Sequence, residues 1–173
     1  FAEERELTVM LVVDASASTH FGSRRQTKQA LAAELGALLA FSAITNNDKV
    51  GLVMFTDRIE LALRPRKGNR HVLRVIREIL SHRPTGHGTD LPAALEHLGR
   101  VTKRRCVVFL ISDFLTPGWR HALRIAARRH DVVAVVLEDP REASLPAVGL
   151  VELEEAETGE RWTVDTHDWR VRD

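Results

Sequence analysis

Asp14, Ser16 and Ser18 leave the end of an apolar run as Asp-x-Ser-x-Ser, a spacing that can turn one carboxylate and two hydroxyls toward a common point. Carboxylate and hydroxyl oxygens are hard ligands suited to Mg²⁺ or Mn²⁺, with Ca²⁺ a further candidate. Two more oxygens of the same kind stand elsewhere, Thr89 in the loop Gly86-His87-Gly88-Thr89 and Asp113 at the end of another apolar run. Mg²⁺ takes about six oxygens and keeps several waters. The hydroxyls of Ser16, Ser18 and Thr89 with the carboxylates of Asp14 and Asp113, acting directly or through water, therefore leave room for a ligand from outside. The pentapeptide alone also reads as an ordinary helix cap, because Asp and Ser favour caps and turns. Adding Thr89 and Asp113 turns the reading toward a cation.

The elements that position these residues follow from hydrophobic periodicity. Leu7 to Val13 is a near-continuous apolar run, the pattern of a strand buried on both faces of a parallel sheet. From about Ser23 to Ile44, Leu31, Leu35, Leu38 and Leu39 recur at helical spacing among alanines and predict a long crossover helix. Val50 to Phe55 is a second buried strand, Thr56-Asp57 a tight turn, and the alternation of Ile59, Leu61 and Leu63 an antiparallel edge strand. Asn69 is expected to cap a helix with Leu73, Ile76, Ile79 and Leu80 on its apolar face. Asp90 is expected to cap the next, with Pro92 in its first turn and Leu91, Ala94, Leu95 and Leu98 facing inward. Cys106 to Ile111 reads as a third buried strand, Pro117 to Arg129 as a basic amphipathic helix using Leu123 and Ile125, and Val132 to Leu137 as a further buried strand. Leu150–Leu153 and Trp162–Val164 pair as a hairpin across Thr158-Gly159, within 150–165.

Alternating buried strands and helices predict an α/β chain: a doubly wound, mostly parallel sheet with one antiparallel edge strand and helices on both faces. In such sheets ligands gather outside the carboxyl ends of the strands. Asp14 and Asp113 both fall there. The 173 residues suit one domain spanning 1–173, with 1–6 as a lead-in, and a first residue other than Met suggests a piece of a longer protein. A single cysteine, Cys106, excludes an internal disulfide and a multi-cysteine zinc site, and suits a reducing, cytoplasmic setting. No apolar stretch approaches the roughly 20 residues a membrane helix needs.

Net charge is +1, which makes no global case for nucleic acid. The basic stretch from Arg58 to Arg83 and the Arg120, Arg124, Arg128 helix lack interleaved aromatics and read as solvated faces. The histidines form no H-x₃-H pair of the zinc type. His20, His87, Asp90 and Phe114 lie on the predicted rim and are candidate partner contacts, although an exposed, solvated role is the simpler reading of each histidine. Asp57 reads as a turn residue. The main alternative is a metal-dependent hydrolase or phosphotransferase at the same edge. Against it, Ser16 stands where an Asp-nucleophile phosphatase carries a second carboxylate, and neither a G-x-S-x-G elbow nor a P-loop is present. Gly86-His87-Gly88 also lacks the third glycine of a dinucleotide fingerprint.

Asp14-x-Ser16-x-Ser18, Gly88-Thr89-Asp90 and Ser112-Asp113, in this order, match the pattern called the metal-ion-dependent adhesion site, and the chain resembles a von Willebrand factor A domain over nearly its whole length. Phe21-Gly22, Asp48-Lys49-Val50-Gly51-Leu52, Phe55-Thr56-Asp57-Arg58 and Ile111-Ser112-Asp113-Phe114 are similar to the bacterial branch known as domain of unknown function 58. So is the opening Phe1-Ala2-Glu3-Glu4-Arg5-Glu6. The resemblance implies Mg²⁺ on the hydroxyls of Ser16, Ser18 and Thr89, with Asp14 and Asp113 reaching it directly or through water. It further implies a Glu or Asp supplied by a protein partner, and association with MoxR-type AAA+ ATPases in a chaperone or assembly role; the charge and the short apolar runs predict no nucleic acid and no membrane contact for this stretch. Ala17 departs from the family's usual Gly; if that position requires positive φ, the alanine costs about 1 kcal/mol. Thr19-His20 replaces a more usual Met-containing continuation.

Overall fold

The computed structural model describes residues 6–20, 27–139, 147–155, 158–168 and 170. Five strands form the main sheet: β1 (Thr8–Asp14), β2 (Lys49–Phe55), β3 (Ile59–Arg66), β4 (Val107–Ser112) and β5 (Asp131–Val136), in the order β3-β2-β1-β4-β5. β1 runs parallel to β2 and β4, β5 parallel to β4, and β3 antiparallel to β2 at the edge. The helices are α1 (Lys28–Thr45), α2 (Asn69–Ser81), α3 (Leu91–Val101) and α4 (Trp119–Arg129), and a short 3₁₀ turn spans Ala17–His20. β6 (Leu150–Glu154) and β7 (Arg161–Asp165) make a separate antiparallel hairpin. The doubly wound sheet with one antiparallel edge is the architecture expected from the sequence.

Strand periodicity explains how helices cover both faces. Val9, Leu11 and Val13 of β1 pack into one core with the inner faces of α1 and α2, while Met10 and Val12 pack into a second core with α3 and α4. A strand buried on both sides reads as an uninterrupted apolar run. β1 leads through α1 to β2 on one side, and β4 is added later on the other, so the direction of winding reverses between β1 and β4. A crevice opens outside the strand ends at such a reversal. Asp14 ends β1 there, and Asp113 follows β4.

Several helix faces differ from the expected ones. α1 buries Lys28, Ala32, Ala33, Gly36, Ala40 and Ala43, and leaves Leu38 65% exposed. Small residues let this helix lie close to the sheet and to α2, with Leu35 and Leu39 packing only along the flank of the core. The predicted start near Ser23 falls outside the described residues. In α2 the buried stripe is Val72, Val75 and Ile79, whereas Leu73 and Leu80 face outward. Both stripes are apolar, and proximity to β2 selects between them. Gly68, not Asn69, occupies the cap position and makes no side-chain cap bond. α4 begins at Trp119, after Gly118 at φ 83°, and buries Ala126 while Ile125 stands half exposed. β5 is not a buried strand: it ends the sheet among the described residues, with Val133 and Val136 exposed. α3 matches expectation, with Asp90 accepting from the Ala93 N–H at 2.8 Å and Leu91, Ala94, Leu95 and Leu98 buried.

Gly51 of β2 lies beside β1, and a methyl group there would collide with the Met10 sulfur and come within 3.0 Å of the Leu63 carbonyl oxygen. Gly51→Ala is expected to lower unfolding stability by about 1–3 kcal/mol through overpacking. Urea denaturation measures this directly, and an unchanged midpoint would show that the two central strands can part without loss.

Candidate functional site

Asp14 is 1% exposed at the tip of the central strand. Its Oδ1 accepts from the Ser16 N–H at 2.9 Å, and its Oδ2 accepts from the Ser112 hydroxyl at 2.6 Å. Burial pushes the Asp14 carboxyl above the usual range; the bonds from Ser112 and Ser16 oppose that rise, while the nearby charge of Asp113 adds to it. The following loop is held tightly. Thr19, itself buried, donates both its N–H (3.1 Å) and its hydroxyl (2.6 Å) to the Ser16 carbonyl. This leaves the Ser16 and Ser18 hydroxyl oxygens 3.0 Å apart. Ala17 opens the 3₁₀ turn and is not at positive φ, so the penalty considered for it does not arise. The left-handed residue at this edge is Phe114, at φ 58°.

Backbone bonds tie the loops into one surface. The Ala15 N–H donates to Phe55 O, the Ala17 N–H to His87 O and the Asp90 N–H to Thr56 O, each at 2.8–2.9 Å. The Thr116 hydroxyl donates to the Thr89 carbonyl at 3.1 Å, which places Thr89 at the edge shared with the β4–α4 loop. Behind this loop lies Glu60, a residue the sequence reading passed over. Its side chain is 4% exposed and accepts from the Thr85 and Gly86 N–H groups and from the Thr56 and Thr85 hydroxyls. Burial alone would raise this carboxyl, but those donors outweigh it and hold Glu60 at about 2. Gly86 is pressed against Thr56 and Asp57, leaving no space for a Cβ. Asp57 sits in the expected turn, paired with Arg58.

Asp113 meets a partner the sequence reading missed. Strand parity sends Ser112 to the same face as Val108 and Leu110, where it reaches Asp14, while Asp113 continues the face of Phe109 and Ile111 that packs toward α1. There the Lys28 ammonium, in the first turn of α1, pairs with Asp113 Oδ2 at 2.8 Å, the two side chains being 3% and 2% exposed. Asp113 Oδ1 accepts from the Leu115 N–H at 3.2 Å. A signal for Lys28 did exist: it continues the buried Ala32–Gly36–Ala40 stripe one turn earlier, at a place where a lysine would otherwise face water.

Among the described residues no three His, Cys, Asp or Glu side chains gather into a metal-binding cluster, so a cation here must draw on hydroxyls. The donor set suits Mg²⁺. The Ser16 and Ser18 hydroxyls are hydrogen-bonded to each other at 3.0 Å, a separation that two adjacent ligands at about 2.1 Å in an octahedron would also have. Of the rim residues, His87 is exposed, His20 is placed only by its backbone in the 3₁₀ turn, and Asp90 serves as a helix cap. Phe114 is half-buried edge-on against Trp119, ring centres 5.1 Å apart, with Arg120 over the indole. Leu115, which sequence reasoning did not select, projects from the edge 67% exposed. Part of the basic stretch is neutralised, Lys67 by Glu6 and both Arg74 and Arg77 by Glu78.

Residues 1–173 match the family described as "Protein of unknown function DUF58". The chain belongs to this family. An uncharacterized protein of Mycobacterium tuberculosis is 36% identical over 159 residues, covering 90% of this chain and 50% of that protein. The chain spans about half the length of the curated relatives it matches. Among solved structures, an aerotolerance-related membrane protein from Bacteroides fragilis aligns with a TM-score of 0.68 at 20% identity, over 94% of this chain and 83% of that one. A von Willebrand factor type A structure from Catenulispora acidiphila aligns at 0.54 and 16%, over 75% and 32%. Proximal thread matrix protein 1 of the mussel byssus, described with zinc in its MIDAS motif, aligns at 0.53 and 14%, over 75% and 37%. This DUF58 chain thus has the von Willebrand factor A fold, and no helix among its described residues is long and apolar enough to cross a membrane.

The Glu60 basket makes a pH prediction. Its folded pKa, about 2, lies below the ordinary 4.5, so its contribution is complete above about 4.5 and is lost as pH falls toward 2. Asp14, shifted upward, acts in the opposite direction. Comparing Glu60→Gln with wild type isolates the first effect. The variant should be less stable by about 1–3 kcal/mol at pH 7, with the gap closing in urea titrations as pH falls from about 5 to about 2; a pH-independent gap would refute the assignment.

Proposed function

We propose that this chain is a metal-dependent protein-docking module that holds Mg²⁺, or in its place Mn²⁺ or Ca²⁺, at the β1–β4 edge and captures an acidic side chain of a partner protein. The observation that carries the reading is the pair of Ser16 and Ser18 hydroxyls, hydrogen-bonded to each other at 3.0 Å beside the buried Asp14 carboxylate. Ser16, Ser18 and Thr89 would hold the ion through hydroxyls. Asp14, whose two oxygens already accept protein hydrogen bonds, would act on it through water. An ion with mostly neutral ligands keeps enough positive charge to attract a carboxylate from outside. The exposed Leu115 and His87 beside the edge offer the apolar and polar contacts a docking surface needs. The zinc described in the MIDAS of the mussel protein supports a cation at this place in the fold.

In this reading the chain binds rather than turns over its partner. The partner class implied by the family resemblance is a MoxR-type AAA+ ATPase, met in the cytoplasm within an assembly or chaperone complex. The portion of the relatives that this chain does not span belongs to the same proposal.

Calorimetry tests the site. Ser16→Ala and Ser18→Ala should each weaken Mg²⁺ or Mn²⁺ binding at least tenfold while circular dichroism stays unchanged. Unaltered affinity in both would remove the assignment. Asp14→Ala is a less clean probe, because it strands the buried Ser112 hydroxyl and should cost about 1–3 kcal/mol of stability. Metal-dependent phosphoester turnover that vanished in Ser16→Ala would instead favour a hydrolase.

A further inference from the structure

We propose that Lys28 is an internal cation that competes with the divalent ion for Asp113, so that the Lys28–Asp113 pair opposes metal capture at this edge. The inference rests on reading the edge as a Mg²⁺ site and concerns how that site is regulated. Both Asp113 oxygens are engaged, Oδ2 by the Lys28 ammonium at 2.8 Å and Oδ1 by the Leu115 N–H at 3.2 Å. A divalent ion that took Asp113 as a direct ligand would share the carboxylate with the buried Lys28 ammonium, so the two cations would be brought close together. The backbone N–H is fixed by the turn that follows β4, whereas a lysine has a long flexible stem.

The position of Lys28 argues that it serves Asp113 and not the helix. It lies in the first turn of α1, where the helix dipole disfavours a cation, and it is buried there. A lysine is rarely enclosed unless paired. An ammonium and a divalent ion drawn to one carboxylate repel strongly where water is scarce. Without metal, Lys28 neutralises Asp113 and keeps the edge assembled. With metal, the ammonium leaves Oδ2, and the first turn of α1 adjusts with it. Metal occupancy is thereby coupled to the start of a helix that packs on both the sheet and α2.

The test is a titration of Mg²⁺ and Mn²⁺ into wild type, Lys28→Met and Lys28→Arg, read by calorimetry and by melting temperature with and without metal. Lys28→Met should bind metal at least tenfold more tightly, and Lys28→Arg, which keeps the charge, should stay near wild type. Without metal Lys28→Met should melt below wild type, because Asp113 loses its counter-charge, and Mg²⁺ should raise its melting temperature more than that of wild type. Lys28→Gln, which retains a hydrogen-bond donor, replaces Lys28→Met should the latter fail to fold. Equal or weaker affinity in the neutral variant, with measurable wild-type binding, overturns the role of Lys28 and leaves the Mg²⁺ site standing. Absence of binding in wild type and every variant overturns the Mg²⁺ reading and this inference with it.

Discussion

An ionised carboxylate at the buried tip of a central strand must receive hydrogen bonds on both oxygens, since leaving a charge unsatisfied away from water costs several kcal/mol. Asp14 meets that demand with the Ser16 N–H and the Ser112 hydroxyl, and the rest of the edge follows from those two bonds. The first folds the chain back on itself immediately after β1 and so fixes the turn that presents the serine hydroxyls. The second joins β1 to β4 across the point where the sheet changes winding direction. Ser112 also accepts from the Phe114 N–H at 3.1 Å, so the turn after β4 is set by the same hydroxyl. With Ser112 committed to one face of the sheet, Asp113 is delivered to the other.

The same device recurs around the edge. Asp90 receives the Ala93 N–H, and Glu60 gathers the Thr85 and Gly86 N–H groups from a loop that would otherwise have few anchors. Carboxylates thus act as fasteners for loop backbone, while the Ser16 and Ser18 hydroxyls bond to each other and Ser16 also bonds to Asp14. The solved structures that share the fold are only 14–20% identical to this chain. Maintaining the edge requires a few donors and acceptors at strand ends, and the remaining surface is free to vary.

Phe114 shows a local cost accepted at this edge. A bulky residue at φ 58° is disfavoured by about 1 kcal/mol or more. Its ring is held edge-on to Trp119, whose indole in turn carries Arg120. The strained turn is stabilised by aromatic packing with α4, so the direction in which Asp113 leaves β4 depends on α4 as well as on β4 itself.

Periodicity and turn residues alone located the strands and helices, the doubly wound order, the cap at Asp90 and the places of Asp14 and Asp113 at the ends of β1 and β4. These depend on periodicity, turn residues and strand ends, all of which are local. The sequence by itself did not determine the phase of α1 or α2, because alanine and leucine stripes are both apolar and only the space above the sheet selects one. Nor did it show that β5 is an edge, since a run of valines reads alike with or without a neighbour. Most of all, the pairing of Lys28 with Asp113 and of Ser112 with Asp14 joins residues 85 and 98 positions apart. Only the register of β1 against β4, and the face on which α1 returns, could bring those groups within hydrogen-bonding distance.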